Sequence, residues 1–254
     1  MRKNVLLSIA FLAMAAIAEP SFALCPVNPA TLQPVLNQAK AAMKANDLDR
    51  AASILSHYQE QGNELDAEGN TLLASIYEKQ TFYEEAVAQL EKLDLSAMSD
   101  TEKGKHYIKI LGILSKIRPS DAESARELST KLRDVCQKTI ACGGEAMIIA
   151  ETRLGEMQLN ADIEAGVKML RETATKRFGQ IGKTINDVKT NSVKDELLGN
   201  IFKAMGDAYA FNYDDKNANS MYSLSARCGN AEAIQQCQDK TIDYTTPNSP
   251  VIVY

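Results

Sequence analysis

The chain has two histidines, His57 and His106, and neither has a second His or a Cys at metal-ligand spacing. A zinc site or a Ser-His-Asp arrangement would have to be assembled from very little material, so neither a metal nor a cofactor is expected. The stretch Phe178-Gly179-Gln180-Ile181-Gly182-Lys183-Thr184 ends like the loop that cradles nucleotide phosphates. The first glycine of that pattern would fall on Arg177, and no β-rich run precedes it, so a loop or a helix end is the better reading. The acidic pairs Asp47/Asp49 and Glu84/Glu85 stand at turns entering a helix, where carboxylates favour the helix dipole. With Asp214/Asp215 they show no EF-hand spacing, and a solvated face accounts for them.

Cysteine is more informative. Five occur, at Cys25, Cys136, Cys142, Cys228 and Cys237. In an exported chain this number reads as two disulfides and one odd thiol, with many connectivities open. The favoured pairs are Cys136–Cys142 and Cys228–Cys237, as staples rather than redox centres, since neither is a C-x-x-C motif. Six residues of straight helix separate Cα atoms by about 9 Å, too far for a bridge. The first pair therefore requires the chain to turn before Gly143-Gly144. The second spans Gly229-Asn230, a helix-stop signal. Cys25, just before Pro26, is left free, pairs between two copies of the chain, or displaces one of these partners.

The elements that position these residues are helices. Of 254 residues 45% are hydrophobic, with 13 Gly and 7 Pro, enough to bury a core and too little punctuation for a disordered chain. The formal charge of −5 offers no basic surface for neutralising many phosphates, so no nucleic-acid partner is expected. Arg2 and Lys3, the apolar run from Val5 to Ala18, and Ser21-Phe22-Ala23 form the basic, apolar and small-residue segments of a signal peptide cleaved after Ala23. A run of about 14 residues is short of the ~20 that span a bilayer, and no later stretch reaches that length. The mature chain is expected to be periplasmic or secreted, without a membrane span. The division is 1–23 signal peptide, 24–30 extension, 31–240 helical domain and 241–254 extended tail. The end of that tail, Val251-Ile252-Val253-Tyr254, is β-prone.

From Thr31 onward apolar residues recur three and four apart, the period of amphipathic helices. Compared with itself, the chain repeats. Ala39, Ala42, Leu48, Ala51 and Leu55 recur 35 residues later as Ala74, Tyr77, Tyr83, Ala86 and Leu90. Each copy is a helix, a turn and a second helix, with small residues where the two helices approach. Ala-x2-Tyr at 74 to 77 and Tyr-Glu-Glu-Ala at 83 to 86 resemble the tetratricopeptide repeat. A third unit, with Pro119 in an enlarged turn, a fourth with Gly166 at the small position, and a fifth ending Ala226-Arg227-Cys228-Gly229-Asn230-Ala231, like a Sel1-like repeat, complete the series. The resemblance covers about residues 31 to 237 and implies an all-α helical-hairpin solenoid of about four to five units.

It also implies a function. Such arrays hold a peptide or protein on a concave face. The family's groove positions carry over onto Lys40, Met43 and Lys44 in the first unit, Thr71, Ser75, Glu78 and Lys79 in the second, and Tyr107, Ile110, Leu114 and Arg118 in the third. Lys40, Lys44, Lys79 and Arg118 then form a basic stripe suited to an acidic peptide or a terminal carboxylate. Two other readings stand beside this one. One is an exported structural or assembly subunit, homo-oligomeric through Cys25. The other is a helical cell-wall-acting enzyme, which the absence of tryptophan and of a carboxylate constellation disfavours.

Overall fold

The computed structural model describes residues 28–247; the signal-peptide segment, Cys25 and the last seven residues lie outside them. Among the described residues the regular elements of secondary structure are all helices, and no strand occurs. The helices are α1 (Pro29–Lys44), α2 (Leu48–Glu60), α3 (Ala67–Lys79), α4 (Tyr83–Glu91), α5 (Asp100–Leu114), α6 (Ala122–Ala141), α7 (Gly144–Leu159), α8 (Ile163–Ile181), α9 (Ile185–Thr190), α10 (Glu196–Phe211), α11 (Asp215–Arg227) and α12 (Ala231–Asp239). α1 takes up residues 29 and 30, which the sequence assigns to the extension. The pairs α1/α2, α3/α4, α5/α6, α7/α8 and α10/α11 correspond to the five repeats of an all-α helical-repeat fold.

Polar residues start most of these helices. Asp47, Asp162, Asp195 and Asp214 each accept a bond from the backbone N–H three residues on. Ser99 with Glu102, Asp121 with Ser124 and Thr184 with Asp187 close reciprocal capping boxes. The phosphate-loop look-alike is such a boundary: Gly182, at φ 64°, stops α8, and Thr184 caps α9. Four of the pairs are joined by three-residue turns, 45–47, 80–82, 160–162 and 212–214, whereas 115–121 joins α5 to α6. In three of the short turns the central residue is left-handed without being glycine: Asn46 (φ 60°), Thr81 (φ 67°) and Tyr213 (φ 58°).

The chain divides into two compact units, up to Ile76 and from Tyr77 on. In the first, Leu32, Leu36, Ala39 and Ala42 of α1 and Ala51, Leu55 and Tyr58 of α2 are buried as the two helices pack together. Ala39 and Ala51, the small residues of the repeat, are fully buried. In the second unit, α4 to α8 pack in chain order, and α10, α11 and α12 continue the series. The first helices α5, α7 and α10 also touch one another in turn, the neighbour-on-neighbour stacking of a repeat array. The main core gathers Ile148, Leu170, Phe178, Ile201, Phe202, Met205, Met221 and Cys228. A separate cluster under α12 holds Ala218, Tyr222, Ala226, Ala233 and Cys237, with Ile242 and Tyr244 against it.

Residues 241–247 are non-helical and fold back. Ile242 N–H donates to Cys237 O at 2.8 Å, Asp243 Oδ1 accepts from Thr245 and Thr246 N–H, and the Arg227 guanidinium donates to the Thr246 carbonyl and to Lys189 O. The described part of the expected tail is thus a strap tied to α11 and α12, through an arginine that also reaches α9.

The disulfide expectation is corrected. Cys136, Cys142, Cys228 and Cys237 are all free thiols. The helix does not turn before Gly143: Cys142 is still in right-handed helical conformation (φ −75°, ψ −15°), and its Sγ donates to Lys138 O at 3.4 Å. Cys228 and Cys237 belong to different core clusters. Burial pushes Cys136 and Cys237 up to about 11 and Cys228 up to about 12. At pH 8 iodoacetamide is therefore expected to label Cys142, which is only partly buried, and to reach the other three only on unfolding. Mass spectrometry of native and denatured samples reads this directly. A pair that stays unlabelled after denaturation without reductant would show a disulfide instead.

Candidate functional site

The residues carried over from the repeat family meet different fates. In the first unit Lys40 is exposed and ion-paired with Glu68, Lys44 is exposed and Met43 half-buried. The Thr71 hydroxyl donates to Ala67 O at 2.7 Å and that of Ser75 to Thr71 O at 2.9 Å, so both are tied to the α3 backbone. In the second unit Glu78 is held by Lys116 at 2.7 Å, Lys79 is exposed, and Tyr107 meets the His106 ring edge-on at 5.6 Å. Ile110 and Leu114 are 2% and 1% exposed. That is a correction: these two are packing residues, because this face of α5 is covered by the neighbouring helices. The exposed positions of α5 include Thr101, Lys105 and Gly112 instead. Arg118 is exposed on the 115–121 turn.

A larger groove lies elsewhere, on the first helices α7 and α10. A cleft of about 880 Å³ and one of about 270 Å³ share Arg153, Glu156, Ala204 and Asp207 and so run into each other. Ile149, Leu197, Ala204 and Ala208 supply apolar surface, Leu159 and Ile163 extend it, and Phe211, 82% exposed, stands at one end.

The basic side chains of this groove are paired, whereas the exposed Asp162 and Glu164 line its larger part without an ion pair among the described residues. Arg153 Nη1 lies 2.9 Å from Glu156 Oε2, and Lys203 Nζ lies 2.8 Å from Asp207 Oδ2 and 3.0 Å from Glu232 Oε2. Burial alone would lower the Lys203 pKa, but its bonds to Asp207 and Glu232 outweigh it and raise it. Gly206 lets the Tyr222 ring lie against α10, where a Cβ would come within 2.7 Å of it. From there the Tyr222 hydroxyl donates to Asp207 Oδ1 at 3.0 Å. Burial, and then the Asp207 charge, raise the Tyr222 pKa, so the phenol remains a donor. Asn230 Nδ2 donates to Asn200 Oδ1 at 2.9 Å. The polar wall is thereby fixed in place before any ligand arrives.

No family model matches the chain, and no curated protein matches it. Among solved structures it is similar to the crystal structure of YrrB, described as a TPR protein with an unusual peptide-binding site, at 16% sequence identity, with 81% of this chain and 91% of that one covered and a TM-score of 0.47.

The groove residues were within reach of the repeat register. Thr71, Ser75, Glu78 and Lys79 stand three before and one, four and five after Ala74. The same offsets from Gly155 give Thr152, Glu156, Leu159 and Asn160, all of which line the groove. From Gly206 they give Lys203, Asp207, Ala210 and Phe211, of which all but Ala210 line it. The anchors were the pairs Leu154-Gly155 and Met205-Gly206. Among the described residues no three His, Cys, Asp or Glu side chains converge as a metal site, and no helix is long and apolar enough to cross a membrane. His106 sits on α5, its pKa lowered by burial and then by Lys109.

Proposed function

We propose that this protein is an exported binding module, not an enzyme, that holds a peptide or protein partner in the α7/α10 groove. The observation that carries this reading is the groove itself: about 880 Å³ in its larger part, with a mixed apolar and polar wall that includes the ion pairs Arg153–Glu156 and Lys203–Asp207. Such a wall orients a bound chain without reorganising, which limits the ordering cost of association. Arg153 and Lys203 are neutralised by Glu156 and Asp207, and Asp162 and Glu164 leave the groove a negative excess, so the partner here is a mixed segment of apolar and polar or basic residues. An acidic ligand, which the sequence suggests for the Lys40 to Arg118 stripe, is not required by this groove. Export rests on the basic, apolar and small-residue order of residues 1–23.

Ala204 is partly exposed between the two clefts. Ala204→Arg places a long cation across the groove and is expected to lower partner retention at least about tenfold, equivalent to roughly 1.4 kcal/mol. Glu172→Arg, at an exposed position of α8 outside the clefts, is the control. Affinity capture from the exported fraction with wild type and both variants checks this. Equal retention by all three would reject the groove.

A further inference from the structure

The 115–121 turn, the one that departs from the three-residue pattern, walls a separate pocket of about 300 Å³. Ile117, Arg118, Pro119 and Ser120 come from the turn, Val87 from α4, Leu114 from the end of α5, and Leu128 from α6. Its floor is apolar and its rim is charged. Of the rim charges Lys131 is neutralised by Glu91 at 3.0 Å. Arg118, Glu84 and Glu127 are exposed, and none of the three forms an ion pair among the described residues. The uncompensated rim is thus two carboxylates against one guanidinium.

We propose that this pocket is a second docking site, taking one large apolar side chain of a partner segment that carries basic residues beside it. The volume is at the low end of ligand pockets, suited to a single anchoring side chain rather than a cofactor. Buried apolar anchors ringed by polar contacts are the usual source of binding energy at protein interfaces. Glu84 and Glu127 select the flanking base by charge complementarity, and Arg118 remains for a carbonyl of the bound segment. The site is set apart from the α7/α10 groove by its lining, the turn, α4, α6 and the end of α5, although a cleft of about 330 Å³ that shares Leu128 with it and Arg153, Glu156 and Asn160 with the groove lies between them.

The test uses capped hexapeptide amides and the ¹H–¹⁵N spectrum of the mature protein. A peptide with leucine between two lysines is expected to give saturable shifts at the amides of Ile117, Ser120 and Glu127. The double variant Glu84→Lys/Glu127→Lys, altered only at exposed positions, is expected to weaken that binding at least tenfold while leaving the rest of the spectrum in place. A peptide with leucine between two glutamates is expected to recover affinity on the variant. Identical shifts from a peptide with aspartate in place of leucine would overturn the apolar anchor. Shifts confined to α7 and α10, or no saturation at millimolar peptide, would overturn the site. Binding that is unchanged in the double variant would overturn the charge selection.

Discussion

Replacing Arg177 with alanine is expected to lower the unfolding free energy by about 3–5 kcal/mol, the usual penalty for removing one partner of a buried ion pair. The side chains of Arg177 and Asp195 are only 11% and 8% exposed. Arg177 Nη2 reaches Asp195 Oδ2 at 2.8 Å, and Nε reaches the same oxygen at 3.1 Å. Donating to Asp195 raises the arginine's pKa against the effect of burial. Asp195 in turn caps α10 through Leu198 N–H, and its own N–H donates to Cys228 O at the end of α11. One residue therefore joins α8, α10 and α11, its carboxylate the first two and its N–H the third, and without Arg177 that carboxylate is left desolvated with the cap alone. The double variant Arg177→Met/Asp195→Asn keeps an acceptor for the cap and buries no charge, so it should lose much less than the single. Urea denaturation of wild type and both variants measures the difference. A loss below about 1 kcal/mol for Arg177→Ala would place the pair in the solvent-screened class.

Gly166→Ala is the second large effect, expected to cost up to about 2 kcal/mol. A Cβ built on Gly166 lies 2.6 Å from the Leu159 backbone nitrogen and 2.8 Å from its Cα, so α7 and α8 would have to separate. Overpacking of this kind costs about 1–3 kcal/mol or more, and the gain in helix propensity from Gly to Ala returns about 1. Gly179→Ala, on the same helix with nothing within 4 Å of the added carbon, should instead stabilise by up to about 1 kcal/mol. Opposite signs at two glycines of one helix, read from thermal or urea unfolding, isolate the close approach from propensity. Equal effects would remove the packing argument.

Gly166 also shows what the sequence makes legible. It occupies the position held by Ala51, Ala86 and Ala218 in other hairpins, all fully buried. Comparing the chain with itself exposes that position, the turns beside it and the enlarged turn at Pro119, because close helix approach restricts residue size whatever the partner. The register of α5 was not legible. Ile108, Ile110, Leu111, Ile113 and Leu114 leave that helix apolar on more than one side, so no single stripe marks the inward face. Only the covering helices decide that Ile110 and Leu114 are core. The groove's paired cations escaped for a related reason: Arg153 with Glu156 and Lys203 with Asp207 are local pairs, but that they line a cleft depends on which helices stand side by side. The thiols failed because sequence proximity on α6 is not spatial proximity.

The left-handed corners at Asn46, Thr81 and Tyr213 have a consequence for descent. A β-branched or aromatic residue in that conformation costs roughly 1–2 kcal/mol, yet Thr81 and Tyr213 are both held there. Helix packing on either side fixes the bend, and the corner residue follows it. Substitution at such a corner is therefore tolerated over generations without moving a helix, and what an ancestor hands down at these points is the count of residues between helices rather than their identity.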